Sequence, residues 1–282
     1  MYAARMLSAE RLTPALGAEL SGVSAAAITD EQFVDSLYDS LIAHQVVFLH
    51  ETDLGPADLV ALGRSLGELG ARHHSYVTHV ESSDVVVLTW QGDDKPDAAE
   101  WHSDMTYREQ PPFASILKAV EVPPVGGDTL WASMHAVYES LSNGLKSELA
   151  ELEVVHDMGA FRTGAYAQGG NAGVIQAMGS AGMAVHPVVA HHPVSERPYL
   201  NVSESFTRWI IGMSAPESAR LLTMLFDTTN RPEHHVRLRW RPNTIAIWDN
   251  RGTQHYAVAD YLPHRRVMHR VAVATDRRLA FS

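Results

Sequence analysis

From Asp84 onward the chain is a succession of apolar or alternating segments four to seven residues long, too short for buried helices and set apart by turn residues. They predict strands at Val85–Leu88, Ile116–Val120, Val185–Val189, Tyr199–Val202, Val236–Trp240, Thr244–Trp248 and Val267–Val273. Val236, Leu238 and Trp240 alternate with Arg237 and Arg239, the period of two that a half-buried strand shows. Helical patterns interrupt only at Met134–Leu141 and Pro216–Phe226. Many short strands with few helices restrict the fold class to mixed, mainly β, as a β-sandwich or jelly roll with flanking helices. The N-terminal part is mixed. Ile28-Thr29-Asp30 offers a cap for a helix over Glu31–His44, with Phe33, Val34, Leu37 and Leu41 on one face. A buried strand, Val46–Leu49, follows, and a second helix over Pro56–Leu66 begins with proline, where a missing N–H costs nothing.

No repeat, low-complexity tract or linker divides the 282 residues, so one domain spanning residues 1–282 is expected. Between Gly159 and Gly182 seven glycines crowd a stretch too long for a connector, which reads as a lid over a site or as disordered chain. Cysteine is absent, which excludes disulfides, thiolate zinc sites, iron–sulfur clusters and a cysteine nucleophile. Without a secretion signal or a long apolar run, a cytoplasmic location and no membrane partner are expected. A formal charge of -11 argues against nucleic acid as a partner but leaves room for a small anion held by a few arginines.

The chemistry concentrates in two places. In Trp101-His102-Ser103-Asp104 an extended backbone puts His102 and Asp104 on the same face, where an imidazole nitrogen and a carboxylate oxygen can reach one metal. Far downstream, His255 follows a buried strand and a turn in Trp248-Asp249-Asn250-Arg251-Gly252-Thr253-Gln254-His255-Tyr256. Two histidines and one carboxylate make the facial triad of non-haem Fe(II) oxygenases, which leaves three adjacent coordination positions open. Arg266 and Arg270 lie four apart and so share a strand face, and guanidinium groups buried there imply anionic ligands.

With WHSDMTY from Trp101, GGDTLWAS from Gly126, HPVV from His186, WDNRGTQHYAVADY from Trp248 and RRVMHRV from Arg265, the chain resembles the TauD/TfdA family of taurine/2-oxoglutarate dioxygenases over nearly its whole length. The resemblance implies a double-stranded β-helix, the cupin-like jelly roll. Its cofactors would be Fe(II), 2-oxoglutarate as cosubstrate, and O2. His102, Asp104 and His255 would be the iron ligands, and Thr129 and Arg266 would hold the distal carboxylate of 2-oxoglutarate. Arg270 would face the anionic group of the primary substrate, with His73, Tyr76 and Phe206 forming the substrate side. Taurine or a related sulfonate would yield sulfite, an aldehyde, succinate and CO2. A homo-oligomer, dimer or tetramer, is expected on the same ground.

Two departures bear on the substrate. Ala98 stands where the taurine enzymes carry asparagine, and no phenylalanine is clearly matched after His156-Asp157, although Phe161 and Arg162 lie nearby. His73, Tyr76, Phe206 and Arg270 pull the other way and set the likeness closer to taurine enzymes than to alkylsulfatases. The alternatives are the same chemistry on an alkyl sulfate or a carboxylate-bearing metabolite, a zinc hydrolase, or a non-catalytic jelly-roll binding protein. Arg266 and Thr129 count against the hydrolase, which needs no cosubstrate anchor. His191-His192 and His234-His235 read as turn and strand residues, not metal ligands. Trp101, Trp131 and Trp248 read as packing around the site, and Gly126-Gly127 as a turn before Thr129.

Overall fold

The structure, a computed structural model, describes residues 7–25, 27–70, 76–93, 99–158 and 182–279. The segment read as a lid or disordered chain, apart from Gly182, lies outside the described residues, as do His73, Ala98, Phe161 and Arg162. The chain begins with β1 (Ser8–Arg11), β2 (Ala18–Ser21), α1 (Glu31–His44), β3 (Val46–Leu49) and α2 (Pro56–Leu66). Next come β4 (Val77–His79), β5 (Ser82–Trp90), β6 (Ala114–Glu121) and β7 (Thr129–Ser133), then the short helices α3 (Met134–Glu139) and α4 (Asn143–Leu149). β8 (Glu153–Asp157), β9 (Met183–Pro187), β10 (Val189–His191), β11 (Pro198–Leu200) and β12 (Thr207–Ile210) precede α5 (Ala215–Thr229). The C-terminal part adds β13 (His235–Leu238), β14 (Ile245–Asp249), β15 (Thr253–Ala257) and β16 (Arg266–Val273).

Eight strands in the order β1-β2-β3-β14-β6-β16-β5-β4 make the larger sheet, and β13-β7-β15 makes a smaller one facing it. The strand pattern explains the layering. Val47, Leu49, Ile245, Ile247, Val271 and Val273 point outward and pack with Leu37 and Leu41 of α1 and Leu59 and Leu62 of α2. Their alternates Val46, Phe48, Ala246, Trp248 and Met268 point inward against Trp131, Val236 and Leu238 of the smaller sheet. Central strands of the larger sheet are therefore apolar on both faces, which is why they read as unbroken apolar runs. Both N-terminal helices occupy the expected residues, and Asp30 caps the first by accepting the Phe33 N–H at 2.9 Å. Gly63 lets α2 approach the sheet: a Cβ there would lie 2.8 Å from Leu69 Cδ2 and 2.9 Å from Val271 Cγ1. This two-sheet architecture with flanking helices is the expected mainly β jelly roll.

One expected strand is two. Val185–Val189 divides between β9, in a three-stranded sheet ordered β12-β8-β9, and β10, which pairs with β11. The switch occurs at Val188, whose N–H donates to Leu152 O at 2.9 Å while its carbonyl accepts from Asn201 N at 2.8 Å. Strands β1, β2, β4, β8, β12 and β15 and helix α4 carry weaker patterns and were not expected. Among the described residues no helix is long and apolar enough to cross a membrane.

Candidate active site

Three side chains converge at one end of the space between the sheets. His255 lies in the middle of β15, opposite Trp131 of β7. On its other side His102 forms an isolated antiparallel bridge: His102 N donates to His255 O at 3.2 Å and His255 N to His102 O at 2.8 Å. Residues that exchange both backbone bonds point their side chains to the same face, so the pairing itself brings the imidazoles together. Their centroids are 4.1 Å apart. The Nδ1–H of His102 donates to the Glu100 carbonyl at 2.8 Å, which fixes the tautomer and leaves Nε2 as a free lone pair for the site.

Asp104 completes the set. One donor atom from each of His102, Asp104 and His255 lies within 4.8 Å of the others, and all three residues are buried. Asp104 Oδ1 and His255 Nε2 are 3.8 Å apart, too far for a hydrogen bond, so the donors face a common point without satisfying one another. Asp104 Oδ2 accepts from Ser115 Oγ at 2.9 Å and from Arg270 Nη2 at 2.6 Å. Burial alone would raise the Asp104 carboxyl, but Arg270, the two imidazoles and the Ser115 hydroxyl outweigh it and hold the group well below the usual carboxylate range. Burial and the proximity of His102 push His255 well below the usual imidazole range. An ionised carboxylate and a neutral imidazole are the protonation states that metal coordination requires. Two imidazoles and one carboxylate gathered on one side fit a divalent transition metal with open positions opposite.

The same cavity runs on to Thr129 and Arg266. Gly126 and Gly127, at φ +78° and +72°, turn the chain into β7, and Gly127 N is held by Asp260 Oδ1 at 2.8 Å. Thr129 Oγ1 accepts from Trp240 Nε1 at 2.9 Å and from Arg266 Nη2 at 3.4 Å. Arg266 is only 2% exposed, and the rings of Trp90, Tyr261 and Trp240 surround its guanidinium at 5.7, 5.9 and 6.0 Å. No carboxylate among the described residues forms a salt bridge with it, and its Nε is buried without a hydrogen-bond partner. A guanidinium so enclosed is a ready receptor for an anion.

A family model described as "Taurine catabolism dioxygenase TauD, TfdA family" matches residues 8–272. The chain belongs to this family. Its similarity to a sulfate ester dioxygenase of Pseudomonas putida, α-ketoglutarate-dependent by name, is 33% identity over 273 residues, 93% of this chain and 87% of that one. With an alkylsulfatase of Acinetobacter baylyi it shares 30% identity over 278 residues, covering 96% and 86% of the two chains. A solved taurine dioxygenase from Burkholderia xenovorans superposes with a TM-score of 0.81 at 31% identity, covering 96% of this chain and 90% of that one. Sulfate-ester and taurine relatives thus stand at about equal identity, and the closer likeness to taurine enzymes read from the motifs does not emerge.

Of the nine candidate residues in this TauD/TfdA chain, eight line the one cavity: Tyr76, His102, Asp104, Thr129, Phe206, His255, Arg266 and Arg270. Arg270 reaches the cavity while resting on Asp104, and its Nη2 also lies 3.2 Å from Ser115 Oγ. Phe206 packs edge-on to His102, with centroids 6.1 Å apart, and against Tyr107 at 5.4 Å. Met105, Tyr107 and Met158 join it as an apolar wall that sequence reasoning missed. The signal for Met105 and Tyr107 was their place in WHSDMTY. Ser115 had only its polarity within an apolar strand to mark it. In the two histidine pairs read as turn and strand residues, His192 Nε2 is 2.9 Å from Asp249 Oδ2, and His235 Nε2 is 2.6 Å from the Thr229 carbonyl. Trp131 and Trp248 are 0% and 1% exposed and pack together in the core, while Trp101 donates to Asn230 Oδ1 at 2.7 Å.

Proposed function

We propose that the chain is an Fe(II)- and 2-oxoglutarate-dependent dioxygenase that oxidises the carbon next to the anionic head group of a small organic sulfonate or sulfate ester, with taurine one member of the class. One observation carries the reading: a buried two-histidine, one-carboxylate set shares a cavity with Arg266, a buried cation without a carboxylate salt bridge among the described residues, and with Arg270. His102, Asp104 and His255 would hold the iron, which when bound supplies O2 activation coupled to oxidative decarboxylation of 2-oxoglutarate to succinate and CO2. Arg266 and Thr129 anchor the distal carboxylate of the cosubstrate. Arg270 binds the substrate head group through the guanidinium face not resting on Asp104, with Tyr76 lining the same cavity. Phe206, Met105, Tyr107 and Met158 exclude water from the reacting carbon. Hydroxylation there gives an adduct that collapses to an aldehyde, releasing sulfite from a sulfonate or sulfate from a sulfate ester.

Purified protein with Fe(II), ascorbate, O2 and 2-oxoglutarate is assayed for succinate, and for sulfite or sulfate, with taurine, an alkanesulfonate or an alkyl sulfate added. Substrate-dependent succinate matched mole for mole by sulfite or sulfate is the expected result. No succinate from iron-loaded protein under any of these conditions would overturn the assignment.

A further inference from the structure

We propose that Asn250 is a positioning residue that sets the Asp104 carboxylate for metal binding by gripping the Asp104 peptide from across the site. The inference rests on reading Asp104 as a metal ligand.

Downstream of His102 the ligand segment leaves the sheet, and its ladder is continued by side chains. His102 and His255 exchange backbone bonds, and Ser103 Oγ then donates to Thr253 O at 2.6 Å. At Asp104 the partner is the Asn250 amide. Asp104 N donates to Asn250 Oδ1 at 2.7 Å, and Asn250 Nδ2 donates to Asp104 O at 3.0 Å and to Pro112 O at 3.1 Å. The amide orientation follows from its partners, because a flip would set the NH2 against an N–H and the oxygen against two carbonyls.

Asn250 is itself firmly based. It follows the last residue of β14, is 2% exposed, and its N–H donates to Phe113 O at 2.8 Å. One side chain therefore ties both ends of the 104–112 loop to the turn leading into β15. The loop needs such a hold, because Met105 has φ +57°, a left-handed conformation that disfavours a non-glycine residue. If Asn250 were only a turn residue, its side chain would serve its own turn. Instead, all three side-chain bonds go to the ligand loop. Aspartate could accept the Asp104 N–H but would oppose the two carbonyls, and glutamine is one methylene too long.

The test measures Mn(II) binding to metal-free protein by electron paramagnetic resonance of the free ion, well below the unfolding temperature. Wild type is compared with N250A, N250S, D104A and T52V. T52V removes the bond from the buried Thr52 hydroxyl to Asn243 O, at the opposite end of β14 from Asn250, and so controls for lost stability. D104A tests the ligand reading: unchanged Mn(II) binding in D104A would remove Asp104 as a ligand and the inference with it. If D104A abolishes binding, N250A and N250S are expected to bind Mn(II) at least tenfold more weakly than wild type, in the range seen when a ligand's supporting partner is removed. T52V is then expected to stay within twofold. A loss under tenfold in both Asn250 variants, or an equal loss in T52V, would overturn the assignment. Failure of both Asn250 variants to fold would also overturn it, making Asn250 a determinant of the fold instead.

Discussion

Replacing Arg266 by methionine should weaken the enzyme and leave the fold as stable or more so. In the free protein the guanidinium is buried among Trp90, Trp240 and Tyr261, with a long contact to Thr129, a side-chain hydrogen bond with Tyr261 and no carboxylate salt bridge among the described residues. Methionine keeps much of the volume and removes an enclosed cation. Exchanging buried charge for an apolar side chain of similar size is neutral or stabilising by about 1–4 kcal/mol. Lost cation–π attraction, about 0.5–2 kcal/mol, offsets part of that. The net expectation is an unfolding midpoint unchanged or higher, at roughly 2–4 °C per kcal/mol for a chain of this size. Cosubstrate binding moves the opposite way. Removing one partner of a buried charge pair costs about 2–5 kcal/mol, so KM for 2-oxoglutarate should rise from about 30-fold to several thousand-fold. Thermal unfolding in denaturant and steady-state succinate formation read the two effects separately. A KM increase below tenfold, or a midpoint lowered by more than about 5 °C, would refute the picture of Arg266 as a cation waiting for an anion.

Two further predictions concern stability. Ser115→Ala removes the hydroxyl that donates to Asp104 Oδ2, leaving that oxygen to Arg270 alone, and should cost about 1–3 kcal/mol in urea unfolding; a loss below about 0.5 kcal/mol would count against it. Burial pushes His156 down to about 3 and His135 down to about 4, far from the metal set in sequence and in partners. The unfolded chain therefore binds protons that the folded chain refuses, so stability is full above about pH 6.5 and falls as pH drops toward those lowered values. Each histidine contributes a slope of about 1.4 kcal/mol per pH unit inside that window, and His156→Asn should remove one such increment. Equal slopes for variant and wild type between pH 4 and 6 would show that His156 does not carry this dependence.

What could be read from the sequence divides along physical lines. α1 and α2 were legible to the residue because caps, proline and an apolar stripe are local signals. The cluster of His102, Asp104 and His255 was legible from the His-x-Asp spacing and from the motifs around His255. The break between β9 and β10 was not. His186 and Pro187 interrupt the run, but the point where it changes sheets depends on Leu152 and Asn201, whose pairing with Val188 is tertiary. Asn250 and Ser115 were hidden for the same reason: each is an ordinary polar residue until a partner more than ten residues away arrives. The apolar wall of Met105, Tyr107, Met158 and Phe206 is assembled from separate loops, and no periodicity marks it.

The two arginines share a single strand, Arg266 opposite Trp90 and Arg270 opposite Val86 on β5, with no irregularity between them on that edge. Four residues of extended chain measure roughly 13 Å. On the proposed reading this rigid strand works as a ruler laid between two anion anchors, one for each organic reactant. Its graduations belong to the pleat and cannot be lengthened by any side-chain substitution. Divergence in substrate length must therefore be written on the outer side of Arg270, in the loops that carry Tyr76, Met158 and Phe206, while the inner interval stays constant for a cosubstrate of one size.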